Sequence, residues 1–135
     1  MNGIILKDEY FAVKGACIEV HNALGCGFLE KVYQDALAIE LSLRGIPYKR
    51  ECRITIDYKG YTIDHEYIAD FICYDALIVE LKAVRVLTDV HQAQVINYLR
   101  AADLPVGMLV NFGEKMLHDE RLVNWHSTLI ASNSE

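Results

Sequence analysis

The chain begins with two segments in which apolar residues recur every three or four positions, the period of an amphipathic helix. The first covers residues 8–24 and is followed by Gly25, a residue type that commonly ends helices. The second covers about residues 28–44 and is followed by Gly45 and Pro47. The pattern therefore predicts two helices joined by a short, glycine-containing turn.

Beyond Pro47 the apolar period changes to two, which is typical of a strand with one buried face. Residues 48–58 alternate in this way, and residues 61–73 and 77–82 form two further apolar runs. Because strands joined by short turns pair in the antiparallel direction, the pattern predicts a meander of three antiparallel strands.

The helical period returns after Thr88, a residue type that favours the start of a helix, and it continues to Ala102. Residues 105–112 then form a short apolar run that predicts a buried strand. A strand after a helix, added to the meander, predicts an α/β fold with a mixed four-stranded sheet flanked by helices. The remaining segment, which contains Trp125, has no clear pattern.

Three charged residues interrupt the apolar strands of the predicted meander. Asp70 lies in the second strand, and Glu80 and Lys82 lie in the third, where their spacing places both side chains on one face. A three-residue loop that pairs Cys73 with Leu77 also places Asp70 opposite Glu80, whereas a two-residue loop separates them onto opposite faces. We predict the first register, or a bulge that restores it.

Two opposed carboxylates repel each other in an ordinary sheet. A divalent cation such as Mg²⁺ reverses that repulsion, because it prefers oxygen ligands. Next to such a cation, the Lys82 ammonium suits the stabilisation of a phosphate or of a nucleophilic water. An ordinary salt bridge between Lys82 and one carboxylate at a sheet edge is the alternative, and the spacing alone leaves both open.

Other polar residues have two interpretations as well. Glu30 lies in the first turn of the second helix, where an acidic side chain also stabilises the helix dipole. On the third helix His91, Gln94 and Tyr98 fall on one stripe, which is either part of a site or a polar face towards solvent.

Length and composition indicate one compact unit. The chain has 135 residues, of which 53% are hydrophobic, so we predict a single domain over residues 1–130 followed by a short polar tail at residues 131–135. The apolar run at the N-terminus is too short for a signal peptide or a membrane span, which predicts a cytoplasmic protein without a membrane partner. The four cysteines have no zinc-binding spacing.

The net charge of −6 argues against broad electrostatic attraction to nucleic acid. Carboxylates in a metal site contribute to this charge, and bound cations would offset them. Four basic residues cluster in the sequence: Lys49, Arg50, Arg53 and Lys59. This cluster is either a local basic edge or an ordinary solvated strand surface, and the two interpretations are equally good.

Several motifs together resemble a known group of proteins. GFLEKVY at residues 27–33 matches the G-x-x-E-x-x-Y signature of the GxxExxY family, and residues 69–83 and 91–113 resemble the rest of that family. This family is placed in the PD-(D/E)XK nuclease superfamily. The resemblance covers about residues 10–122 and implies a restriction-endonuclease-like core.

The resemblance also implies roles for individual residues. Asp70 and Glu80 would be metal ligands, Lys82 the catalytic lysine, and Glu30 an acidic residue that assists a metal or its waters. Gln94 and Tyr98 resemble a QxxxY motif that positions DNA or the catalytic groups. Ala69 occupies the place where the superfamily name has a proline, a position at which many members vary.

The sequence thus leads to two functional hypotheses. The first is a nuclease that uses Mg²⁺ or Mn²⁺ and a metal-activated water to hydrolyse phosphodiester bonds of nucleic acid, with DNA favoured over RNA. The second is a non-catalytic nuclease-fold module that binds nucleic acid or a protein partner, for example as a homodimer; the acidic balance of the chain supports it.

Overall fold

A computed structural model of the protein describes residues 5–133, in which a five-stranded sheet is flanked by helices. Residues 1–4 and 134–135 lie outside this range. In chain order the elements are α1 (Lys7–Leu24), α2 (Glu30–Leu43), β1 (Tyr48–Tyr58), β2 (Tyr61–Cys73), β3 (Leu77–Lys82), α3 (Asp89–Ala102), β4 (Val106–Asn111), β5 (His118–Val123) and α4 (Thr128–Asn133).

The strands lie in the sheet in the same order as in the chain. The pairs β1–β2, β2–β3 and β4–β5 are antiparallel, while β3 and β4 are parallel and connected through α3. The predicted antiparallel meander and the strand after a helix are confirmed. The sheet is therefore mixed, as the sequence pattern predicted.

The predicted number of four strands is wrong, because β5 adds a fifth strand beside β4. The sequence of β5 is HDERLV, and all six of its residues are partly exposed. A strand without apolar alternation gives no signal of period two, so its pairing depends on the neighbouring strand. After it, α4 continues to Asn133, within the segment that we expected to be a polar tail.

Apolar side chains pack on both faces of the sheet. On one face α1 and α2 cover a cluster that includes Leu37, Phe71 and Leu81. On the other face α3 covers a second cluster that includes Ile78 and Leu99. Each fully buried side chain of this kind contributes about 1.5–3 kcal/mol through burial. Since strand side chains alternate, Glu80 shares the α3 face with Ile78.

The β1–β2 hairpin is longer than its neighbour β3. Residues 71–73 of β2 pair with both β1 and β3, whereas residues 61–63 and 67–69 pair with β1. We call residues 52–69, in which β1 and β2 pair with each other beyond the end of the β2–β3 pairing, the hairpin arm. The arm lies beside α3.

Within the described residues, no helix has both the length and the apolar character needed to cross a membrane.

Candidate active site

The turn between β2 and β3 sets the register of the acidic residues. Cys73 pairs with Leu77 and Phe71 pairs with Val79, as the predicted three-residue loop requires. This register is confirmed, and just beyond its last pair the Asp70 amide contacts the Glu80 carboxylate. The two carboxylates are therefore neighbours although nine residues separate them in the chain.

Side chains replace the backbone hydrogen bonds at the point where β2 and β3 separate. The amide N–H of Asp70 donates to Oε1 of Glu80 at 2.7 Å. In return, the amide N–H of Leu81 donates to Oδ2 of Asp70 at 2.8 Å. These reciprocal bonds fix both carboxylates at the end of the paired region.

Gln34 of α2 holds the other oxygen of Asp70. Its amide nitrogen Nε2 donates to Asp70 Oδ1 at 3.0 Å. Its oxygen Oε1 accepts hydrogen bonds at 2.9 Å from Lys31 Nζ and from Arg50 Nη2. The side chain is 8% exposed, so this bridge lies mostly out of water. Sequence analysis missed Gln34; its position four residues after Glu30, on the same helix face, was the signal that could have found it.

The tyrosine of the G-x-x-E-x-x-Y signature has a structural role at the start of α2. The Tyr33 hydroxyl donates to the carbonyl oxygen of Gly25 at 2.6 Å and accepts from the amide of Phe28 at 3.2 Å. Its ring stacks on Phe112 with a centroid separation of 4.7 Å. These contacts fix the loop that leads into α2 and so position Glu30, the first residue of the helix.

Burial raises the free energy needed to ionise the carboxyl groups of Asp70 and Glu80. Glu80 is 4% exposed, and burial together with the neighbouring charge of Asp70 raises its pKa to about 8. Burial also raises the pKa of Asp70, although the hydrogen bonds from Leu81 and Gln34 oppose that shift. A cation bound beside the pair would oppose these shifts, because an opposite charge favours the ionised form of a carboxyl group.

Glu30 and Lys82 lie close enough to the pair to affect its electrostatics. Burial raises the pKa of Glu30, the charge of Lys82 lowers it and that of Asp70 raises it. Lys82 likewise lowers the pKa of both Asp70 and Glu80. Among the side chains that the structure describes, no carboxylate forms a close ion pair with Lys82, and the ordinary salt bridge considered above is not seen there.

Of the polar stripe on α3, the structure brings Gln94 and Tyr98 to the site. Burial raises the pKa of Tyr98, as do the charges of Glu80 and Asp70, while a hydrogen bond with Gln94 lowers it. His91 has a different role, because its Nδ1 accepts a hydrogen bond at 3.1 Å from the amide of Thr88 and so caps α3.

The donor set fits a hard divalent cation. The carboxyl groups of half-buried Asp70 and buried Glu80 lie beside each other, and Mg²⁺ is commonly held by one or two carboxylates while it retains several waters. In the described part of the chain no three His, Cys, Asp or Glu side chains converge as a metal cage would require. Two carboxylates leave most coordination positions of a six-coordinate ion such as Mg²⁺ to water.

Comparisons with known proteins bear on the family and the fold of the chain. The family model of the PD-(D/E)XK nuclease superfamily matches residues 7–123. Among solved structures, one described as the crystal structure of SSO0001 is similar, with a TM-score of 0.51 and 17% sequence identity. The match covers 94% of this chain and 65% of that one, and at this identity it shows the fold alone. No curated protein matches the sequence.

Proposed function

The chain belongs to the PD-(D/E)XK nuclease superfamily, and from that premise we propose that it hydrolyses phosphodiester bonds of nucleic acid, with DNA as the substrate. We assign it to the GxxExxY group within the superfamily, on the signature at residues 27–33. The single observation on which the proposal rests is the hydrogen-bonded contact between Asp70 and the β3 residues Glu80 and Leu81, with Lys82 two residues beyond Glu80 in the same strand.

Each residue has a task in this reaction. Asp70 and Glu80 would hold Mg²⁺ or Mn²⁺, with Glu30 binding the ion or its waters from the start of α2. A divalent cation supplies Lewis-acid polarisation of the phosphate and favours deprotonation of the attacking water. Lys82 would stabilise the negative charge that develops on the phosphate oxygens. Gln94 and Tyr98 would position the substrate beside them.

The test is cleavage of single-stranded, duplex and branched DNA, and of RNA, by purified protein with Mg²⁺ or Mn²⁺. We expect Asp70→Asn and Lys82→Met to abolish cleavage, since removal of a charge-stabilising group commonly costs about 100- to 1,000-fold in rate. Asp75→Asn is the matched control, because Asp75 lies in the adjacent turn with its side chain 80% exposed. Cleavage that persists in the two site variants would contradict the proposal.

A second function is favoured by one specific observation. The carboxylates of Asp70 and Glu80 already accept backbone hydrogen bonds, so the pair is partly satisfied without a cation. A non-catalytic module that binds nucleic acid or a protein partner, including a second copy of the chain, would need no more than this. Titration calorimetry distinguishes the two functions, because only the enzyme should bind Mn²⁺ in a manner that Asp70→Asn and Glu80→Gln abolish.

A further inference from the structure

A groove next to the candidate active site lies between the hairpin arm and α3. Its volume is about 620 Å³, within the range of about 300–1,000 Å³ that is typical of sites for small molecules. Its lining includes Ile56 and Tyr67 of the arm and Gln94, Asn97, Tyr98 and Arg100 of α3.

The groove and the surroundings of the acidic site share Tyr98. Gln94 and Tyr98 line the groove, and Tyr98 is also close enough to Glu80 and Asp70 to feel their charges. On the opposite wall, Tyr67 precedes Asp70 by three residues in β2. At a rise of about 3.3 Å per residue, this places its backbone roughly 10 Å from that of Asp70. A nucleic acid strand with a phosphate at the site can therefore place a base in the groove within about three nucleotides, since stacked nucleotides rise about 3.4 Å each.

Tyr67 provides an aromatic surface there. Its ring contacts the Tyr98 ring at a centroid distance of 5.8 Å and an interplanar angle of 49°, which supports it from one side. Tyr98 is buried, whereas Tyr67 is 41% exposed and lines the groove. A supported aromatic ring with an open face is the feature on which proteins stack unpaired bases.

The charges favour a base over a phosphate as the occupant. Among the described side chains, the charged residues that line the groove are Asp57 and Arg100, which have opposite signs. The whole chain has a net charge of −6. Binding through phosphate neutralisation needs clustered lysines and arginines. The bases of a duplex are stacked inside the helix and do not offer their faces, so an aromatic groove of this size suits a single strand.

We propose that the groove between the hairpin arm and α3 binds an unpaired base of single-stranded DNA, with the Tyr67 ring as its stacking surface. This inference rests on the proposed function, because it takes the strand in the groove to be the one whose phosphate lies at Asp70 and Glu80. It identifies the substrate class as single-stranded DNA, or DNA with an unpaired segment next to the cleaved bond.

The test is fluorescence anisotropy with labelled oligothymidylate, in EDTA so that no cleavage occurs, and with a duplex of the same length as competitor. We expect the single strand to bind more tightly than the duplex. Tyr67→Leu, which keeps apolar bulk against Tyr98 but removes the aromatic face, should weaken single-strand binding about 5- to 100-fold. Tyr67→Phe should bind like the wild type.

Tyr61→Leu is the matched control, because Tyr61 lies on the same strand, is 76% exposed and does not line the groove. Equal losses in Tyr61→Leu and Tyr67→Leu, no loss in Tyr67→Leu, or equal binding of single strand and duplex would each overturn the inference. The proposed function fails separately. If the protein cleaves duplex DNA and Tyr67→Leu binds single strands normally, the nuclease proposal stands and the base site is rejected. If binding depends on Tyr67 but no DNA is cleaved, the base site stands and the nuclease proposal is rejected.

Discussion

At the scale of single residues, the centre of the site is a pair of neighbouring carboxyl groups, one buried and one half-buried. Glu80 is almost fully buried, and Asp70 is held by an amide from α2 and by a backbone N–H of β3. Buried charged groups normally need compensation. Lys82 and the hydrogen bonds supply part of it, and a divalent cation would supply the rest. Gln34 and Glu80 are the residues at which this balance is best tested.

Gln34→Ala should reduce metal affinity and cleavage. Gln34 orients Asp70 through a 3.0 Å hydrogen bond, and loss of such a supporting contact typically costs about 10- to 100-fold in metal affinity or activity. Calorimetric titration with Mn²⁺ measures the affinity directly. Gln92→Ala serves as the control, because Gln92 bonds to Glu120 on β5 instead. Equal affinity in Gln34→Ala and the wild type would show that Asp70 needs no such support.

Glu80→Gln should stabilise the metal-free protein, and more so at higher pH. The pKa of Glu80 is about 8 in the folded protein, against about 4.3 in an unfolded chain. Between these values the unfolded chain releases its proton first, so the wild type loses stability as pH rises from about 4.5 to 8. The variant has no such loss, and we expect a gain of about 1–3 kcal/mol at pH 8.

Urea unfolding in EDTA at pH 5 and pH 8 measures this difference. Glu19→Gln is the control, since Glu19 is exposed on α1. If the stabilities of Glu80→Gln and the wild type have the same pH dependence, the carboxyl is ionised normally in the folded state.

At the scale of elements, the position of α3 depends on a close approach to β4. A Cβ added to Gly107 would meet Val95 Cγ1 at 2.6 Å and Leu99 Cδ1 at 3.3 Å, and both residues belong to the buried cluster under α3. Glycine at this position therefore allows the helix to lie near the sheet. Because α3 also provides Gln94 and Tyr98, its packing determines one wall of the groove.

Gly107→Ala should destabilise the protein by about 1–3 kcal/mol, since overpacking a filled core forces side chains and backbone to shift. Gly15→Ala is the control, and we expect it to stabilise the protein. There the added Cβ meets only the end of the flexible Arg44 side chain at 3.2 Å, and alanine is favoured over glycine inside a helix by about 0.5–1 kcal/mol. Thermal unfolding distinguishes them, and equal midpoints would contradict the packing argument.

At the scale of the whole molecule, the residues of the candidate site come from elements on both faces of one sheet. Glu30 and Gln34 come from α2 on one face, Tyr98 from α3 on the other, and the acidic pair from the strands between them. A ligand that binds only to this assembled arrangement stabilises the folded state as a whole.

Mn²⁺ should therefore raise the midpoint of thermal unfolding. At a concentration 100 times the dissociation constant, the stabilisation is about 2.7 kcal/mol, or roughly 5–10 °C for a domain of this size. Differential scanning calorimetry with and without EDTA measures the shift. Asp70→Asn should show none, whereas the control Asp75→Asn should shift like the wild type. A shift that survives in Asp70→Asn would place the ion elsewhere.

Local patterns in the sequence determined most of the secondary structure. The period of two and the turn between Cys73 and Leu77 were enough to predict the meander, its register and the closeness of Asp70 to Glu80. These features depend on neighbours in the chain or on one short turn, so they are visible without the rest of the fold.

Only the tertiary structure decided how the site is completed. The bond from Gln34 to Asp70, the closeness of Glu30 to Lys82 and the groove beside Tyr67 join segments that are far apart in the chain. The same holds for β5, whose charged sequence becomes a strand through pairing with β4. Such contacts follow from how helices pack on the two faces of the sheet, and no local period encodes that packing.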